Sequence, residues 1–578
     1  MTFKWSRRRW MSGVGLGLGG VVFPPWVEAA QSHGPRVASP SGPPGPGTPE
    51  PEAARGSLAR PQRWLEIAGP WELSGLALVQ SGHLYQKMQV VETLLDASGV
   101  GHPEPALASA WTCSDDGLRW QFVLRAGARF HDGTAVRAED VVASLQAARR
   151  PPGLLSQAPI HTIHALDPVA SPCHGSGGAQ ACTAQALEIQ LNQPHATLPS
   201  LLAHFSAAVL APGSFGPDGR TVTQIIGSGP YRITRLQPPQ LLETAWYDGY
   251  GGPPPEVRRA RYLAVGRAET RALMAASGQA DLVFALDPAS VAKWKRREPH
   301  RARVNGQQAR LASVTVPRVM ALKVNAGSGP LSDLRVRQAL SLAVDREGIA
   351  LAVLREPDLA ATQLLPPTLP DWHSSALPPL RFDLTQARRL LHAAGWQAGA
   401  DGRSWMDAAG HPVTLTLRTF PDRPELPIVA TALQEQWRQL GIPVRVAIGN
   451  SGDIPLGHRD GSLQMALMAR NYASAPDVTA SLWQDFRPEG SDWGAMGWRS
   501  PEVAQALARL NGGEGAADTA ADRRRVVQRL QQELPVIPIA WYRQHVAVSG
   551  RLADPPLDPL ERSYRLTSLR WADSKDTT

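Results

Sequence analysis

Leu331-Ser332-Asp333-Leu334-Arg335-Val336-Arg337-Gln338-Ala339-Leu340-Ser341-Leu342-Ala343-Val344-Asp345-Arg346-Glu347-Gly348-Ile349 decides the reading of this 578-residue chain. Val336, Ala339, Leu340, Ala343 and Val344 recur at i, i+3, i+4, i+7 and i+8, the spacing of one apolar helix face. Asp333 stands just ahead of that pattern as an N-cap, and Asp345 is placed to cap a short helix beginning near Arg346. Arg335 and Arg337 flank the apolar face. The stretch is a packed helix, and therefore scaffold rather than site.

Upstream, Asp116-Gly117 is a hairpin turn signal between apolar runs, and Trp120, Phe122 and Leu124 alternate as a half-buried strand does. Residues 88–95 are expected to be helical, 130–134 to turn, and 138–145 to begin another helix. Gly227-Ser228-Gly229-Pro230-Tyr231-Arg232-Ile233 is a glycine-rich turn entering a strand. Downstream, Ala387, Leu390, Leu391 and Ala394 form a helix face that ends at Gly395. Residues 430–440, then Gly441 and Val444, read as helix, stop and strand. Residues 536–542 form an extended apolar run.

These landmarks, in this order, resemble the extracytoplasmic solute-binding proteins of ABC importers, family 5, the peptide/nickel-binding family. The resemblance covers roughly residues 64–575. It implies an α/β, two-lobed periplasmic binding protein-like fold of type II, in the large variant with an extra subdomain in lobe I. It also implies lobe I over 64–315, lobe II over 316–540 and a return to lobe I over 541–578. The crossings would fall near 314–325 and 534–542, with the ligand between lobes that close on a hinge.

Length alone calls for more than one core. The net charge is +8, of which the first 30 residues carry +3. No dense basic stripe interleaves with aromatics, which excludes nucleic acid as a main partner. No helix-length apolar run follows the N-terminus, so the mature chain is expected to be soluble. Ser6-Arg7-Arg8-Arg9-Trp10-Met11 resembles the twin-arginine export motif. A glycine-rich apolar stretch and small-residue cleavage candidates around 27–30 follow it. Residues 1–30 are thus expected to be an export signal read by the twin-arginine machinery, and 31–63 a disordered Pro/Gly-rich linker. With no cysteine near the cleavage region to carry a lipid, the expected product is a soluble periplasmic monomer.

Cys173 and Cys182 bracket a glycine-rich interval and, in an oxidising compartment, read as a local disulfide. Two alternatives stand beside it: free thiols, or a metal site drawing on His161, His164 and His174. Cys113 is left over and expected to be buried.

No P-loop, His-Glu-x-x-His, Cys-x-x-Cys or Gly-x-Ser-x-Gly occurs, and His131-Asp132 reads as a hairpin tip. The chain is expected to be no enzyme and to need no cofactor or resident metal. The resemblance places the ligand-lining segment of lobe II at 468–477. Peptide-binding members carry an acidic residue near its start, where this chain has Asn471-Tyr472-Ala473. Arg470 and Tyr472 are the first candidates, as a carboxylate fork and an aromatic cover. Tyr85 and Met88 would line the cleft from lobe I, and Trp483 and Trp493 would add apolar walls. The resemblance implies capture of a peptide or peptide-like solute for delivery to an ABC importer permease. A nickel or other metal chelate is the alternative ligand, and a transport-free sensor or chaperone the alternative role.

Overall fold

The computed structural model describes residues 63–99, 101–150, 152–172, 181–297, 303–304, 307–399, 404–473, 475–488, 490–512 and 519–572. The opening signature forms the helix Leu334–Leu342. Asp333 caps it by accepting from the Arg335 N–H at 2.8 Å, and Asp345 accepts from the Gly348 N–H at 2.8 Å. Val336, Ala339, Leu340, Ala343 and Val344 are all buried. Burying each of the larger ones contributes about 1.5–3 kcal/mol. Arg346 is buried too, and its guanidinium donates to the carbonyls of Pro538 and Ser341 at 2.8 and 3.0 Å. Burial pulls its pKa down to about 9. The signature is thereby tied to the strand Val536–Val548.

That strand and Arg310–Val324 are the two long members of a ten-stranded sheet, and they pair antiparallel along most of their length. On one side the sheet continues through Leu282–Phe284, Trp64–Gly69, Arg259–Ala264, Leu241–Trp246 and Tyr231–Gln237. On the other it continues through Met465–Asn471, Leu415–Thr419 and Val444–Ile448. The two long strands therefore run from one lobe into the other. Their register shifts between Val316 and Val319, where Pro317 has no N–H to give the ladder.

A separate antiparallel sheet of four strands, Ala108–Cys113, Arg119–Leu124, Ala181–Leu191 and Ile160–Pro172, is the extra subdomain. Helix Ala138–Ala148 packs on it, over a core that includes Phe122, Leu187 and Ile189. The Asp116-Gly117 hairpin joins its first two strands, with Gly117 at φ +69°.

Two expectations are corrected. Residues 88–95 are not helical: the helix Leu78–Lys87 stops at Met88, and Gln89 turns through φ +54°. Val90, Val91 and Thr93 are β-branched and favour extended backbone. Their stretch pairs with the glycine-rich turn, the Val90 carbonyl accepting from Gly229 N–H at 3.0 Å and the Gln89 carbonyl from Tyr231 N–H at 3.1 Å. A Cβ on Gly227 or Gly229 would collide with those carbonyls, so the approach requires glycine. Cys113 is exposed rather than buried, because it sits on the outward face of an edge strand of the subdomain. Cys173 and the side chain of Cys182 lie outside the described residues, and with them the proposed pairing.

Candidate functional site

Trp64–Gly69 lies parallel to its neighbour Leu282–Phe284, and Leu415–Thr419 parallel to Val444–Ile448 and Met465–Asn471. Ligands in open α/β sheets bind beyond the carboxyl ends of such strands. Here the segments that follow them, around 70–71, 285–291 and 420–425, face one another across the middle of the two long strands. They enclose a cleft of about 730 Å³, including the solvent at its mouth. Its walls include Trp71, Leu286, Val291, Met320, Leu354 and Trp541, with Tyr542 on its floor. Trp71 and the 421–424 loop also border a second, more polar chamber of about 1540 Å³.

Trp71 is fixed by its backbone: its N–H donates to the Tyr262 hydroxyl at 3.1 Å, and that hydroxyl donates to its carbonyl at 2.9 Å. Gly69 leaves room for this, since a Cβ there would lie 2.8 Å from the same hydroxyl.

The charges in the cleft divide into compensated and uncompensated groups. Glu561 is buried and takes Arg318 Nη1 at 2.7 Å and Gln544 Nε2 at 2.9 Å. Burial alone would raise its pKa, but Arg318, Arg423 and Lys87 outweigh burial and hold the carboxyl below the ordinary value. Lys87 is pulled down to about 8 by burial, against the opposing pull of Glu561. Glu356 is paired with Lys295, takes Arg543 Nη1 at 2.8 Å and lies 2.9 Å from His545 Nε2. Burial opposes its ionisation, yet His545 and Lys295 bring its pKa down to about 2.

Arg423 has no such partner. Phe420 and Leu426 are buried at either end of its loop, and Pro421 and Pro424 stiffen the segment between. Its guanidinium carbon stands 5.6 Å from the Tyr542 ring centroid; among the described residues no carboxylate pairs with it directly, and its charge acts on Glu561 only from a distance. Tyr542 donates its hydroxyl to Glu425 Oε1 at 2.5 Å, and burial followed by Glu425 pushes the phenol well above its ordinary pKa.

The residues singled out from sequence lie apart from this cleft. Tyr85 and Met88 are fully buried in the core of lobe I, the Tyr85 hydroxyl donating to Gly75 O at 3.2 Å. Arg470 does present a fork, but to Asp485, with both N–O distances 2.8 Å. Burial would lower its pKa; Asp485 more than reverses that. Tyr472 is sealed among Val319, Leu482 and Phe486, its hydroxyl without a partner among the described residues. Trp483 lines a different opening between the lobes, beside His195 and Asn511. Trp493 packs edge-on against Phe420, 6.1 Å between centroids, and so supports the Arg423 loop from behind. His131 Nε2 donates to Gly229 O, 2.9 Å away, inside the subdomain junction, and burial lowers its pKa to about 4.

Sequence reading passed over Arg423, Glu425, Trp71 and Tyr542. The signal was present at one of them: Pro421-Asp422-Arg423-Pro424 places a cation in a stiff loop at the end of an alternating strand.

Two lobes joined by two long strands, with a cleft at the strand ends, are the architecture of a solute-binding protein. The chain belongs to the bacterial extracellular solute-binding proteins, family 5, whose middle-region model matches residues 102–493. It is 24% identical to the glutathione-binding protein GsiB of Salmonella typhi over 60% of this chain, and spans 61% of that protein's length. It is 23% identical to the nickel-binding periplasmic protein of Escherichia coli K12, covering 84% of this chain and 89% of that one. Its fold matches NikA from Brucella suis, crystallised with Fe(III)-EDTA, at a TM-score of 0.74 and 21% identity, covering 88% of this chain and all of that one. It matches the oligopeptide-binding protein AppA from Bacillus subtilis, in complex with a nonapeptide, at 0.74 and 17% identity, covering 89% and 100%.

Proposed function

We propose that this protein captures a small peptide or peptide-like solute between its lobes and hands it to the permease of an ABC importer, without chemically altering it. The observation that carries this reading is Arg423: a cation that among the described residues forms no ion pair, held over an aromatic ring in a cleft with both apolar and charged walls. A half-buried guanidinium of this kind is completed by a ligand carboxylate, which it takes as a two-pronged fork. The glutathione-binding relatives and the nonapeptide complex of AppA support a peptide-like ligand. The longer alignment with the nickel-binding protein favours a second reading, a carboxylate-bearing metal chelate on the same arginine.

The rest of the reading follows from the sequence. Residues 1–30 would direct twin-arginine export to the periplasm and 31–63 would link the signal to the folded part. The division into 64–315, 316–540 and 541–578 gives the two lobes and the return. The chain would act as a soluble monomer; no described helix is long and apolar enough to cross a membrane.

Native mass spectra of protein purified gently from the periplasm test the ligand class. Adducts at the masses of short peptides are the expected result. A single metal-chelate mass would replace the peptide reading with the second one.

A further inference from the structure

We infer that the captured solute presents an α-amino-acid head group, with ammonium and carboxylate on one carbon, to Arg423 and Glu425. This rests on the capture reading above and narrows its substrate class. The other charges around the cleft are matched within the protein: Arg318 with Glu561, and Glu356 with Lys295 and Arg543. Arg423 and Glu425 stand outside these contacts, although Glu561 also feels the charge of Arg423. They are two residues apart on one loop, both line the cleft, both are half-buried, and neither is in an ion pair among the described residues.

Each is held against Tyr542 in a way that keeps the two apart. Arg423 stands over the ring, while Glu425 takes the hydroxyl on Oε1. Among the described residues no hydrogen-bond donor takes Oε2 of Glu425. Arg271, whose charge reaches Glu425, has its own N–H groups on the carbonyls of Phe284, Val265, Gly266 and Ala285. Glu425 also begins the helix Glu425–Leu440, where the dipole favours its ionised form.

A ligand carrying only a carboxylate would satisfy Arg423 but set a second negative charge beside Glu425. One carrying only an ammonium would meet the reverse conflict with Arg423. A head group with both charges completes both residues at once, and like-charge conflict excludes the half-matched solutes. Trp71, Leu286, Val291 and Met320 then receive the apolar part of the solute. In a linear peptide the two charged ends are separated by the backbone. In a γ-glutamyl compound they share a carbon, so the latter chemistry fits the pair.

Calorimetric titration of the whole exported protein with four probes tests this. They are γ-glutamylleucine, glutarylleucine (no ammonium), 4-aminobutanoylleucine (no head carboxylate) and Leu-Leu-Leu. γ-Glutamylleucine is expected to bind at least about tenfold tighter than either truncated probe, the effect of one charge-assisted hydrogen bond. Glu425→Gln, which keeps an acceptor for Tyr542, is expected to erase the difference between γ-glutamylleucine and glutarylleucine. Arg423→Gln is expected to erase the difference from 4-aminobutanoylleucine. Melting temperatures of both variants show whether they fold. Equal affinity of the wild type for γ-glutamylleucine and glutarylleucine overturns the inference. If Leu-Leu-Leu binds and γ-glutamylleucine does not, the head-group inference falls and peptide capture stands. If no probe binds, capture of peptide-like solutes falls with it.

Discussion

Arg423 is positioned by its neighbours rather than by an ion pair, and its removal should therefore leave the fold intact. Arg423→Gln is expected to weaken binding of a carboxylate-bearing peptide by about 1.5–3 kcal/mol, roughly 10- to 100-fold, with an unchanged melting temperature. Calorimetry and thermal melts check the two parts separately. His204 gives a prediction in pH. Burial, then the charges of Arg562 and Arg470, lower its pKa from 6.5 to about 3. The folded ring stays neutral while the unfolded one takes a proton below about pH 6.5, so stability falls as pH falls through that range. The loss is about 1.4 kcal/mol per pH unit. Urea unfolding at pH 7 and pH 5 should show the wild type losing roughly 2 kcal/mol more than His204→Gln; equal losses would refute the assignment. At this scale sequence was a poor guide to the site. Arg470 and Tyr472 have the right chemistry for binding, but Asp485 and a closed core occupy them, and such partners are set by the fold and not by spacing along the chain.

Local elements were far more legible. The helix Leu334–Leu342 declared its face and its cap because both depend on residues within a few positions of each other. Asp333→Ala is expected to cost about 1 kcal/mol in urea unfolding, since it releases the Arg335 N–H and the Arg335 side chain together. The stretch 88–95 misled because its extended form is fixed by residues 229–231, more than a hundred positions away. Gly229→Ala tests that dependence. Its Cβ would strike backbone on the 89–90 segment, so a clear fall in melting temperature is expected, larger than that of Gly266→Ala, where a Cβ meets nothing. A melting temperature for Gly229→Ala equal to the wild type's would remove the argument.

For the molecule as a whole, the long strands Arg310–Val324 and Val536–Val548 make one sheet of two lobes, and the cleft lies where they cross. The two-lobed class was legible because ordered landmarks over most of the chain carried it. The cleft was not, since it assembles segments near 70, 285, 318, 423, 542 and 561 that are far apart along the chain. Lys295 meets Glu356 across that cleft, from a helix on one side to a segment on the other. Lobe closure on ligand is expected to shrink the radius of gyration in solution scattering, and an identical profile at saturation would argue against a hinge. Capture between the lobes on Arg423 can be seen in a crystal structure of the protein grown with its co-purified ligand. Density is expected in the cleft between Trp71 and Tyr542, with a carboxylate forked on Arg423. Ligand density elsewhere, with Arg423 bare, would contradict it.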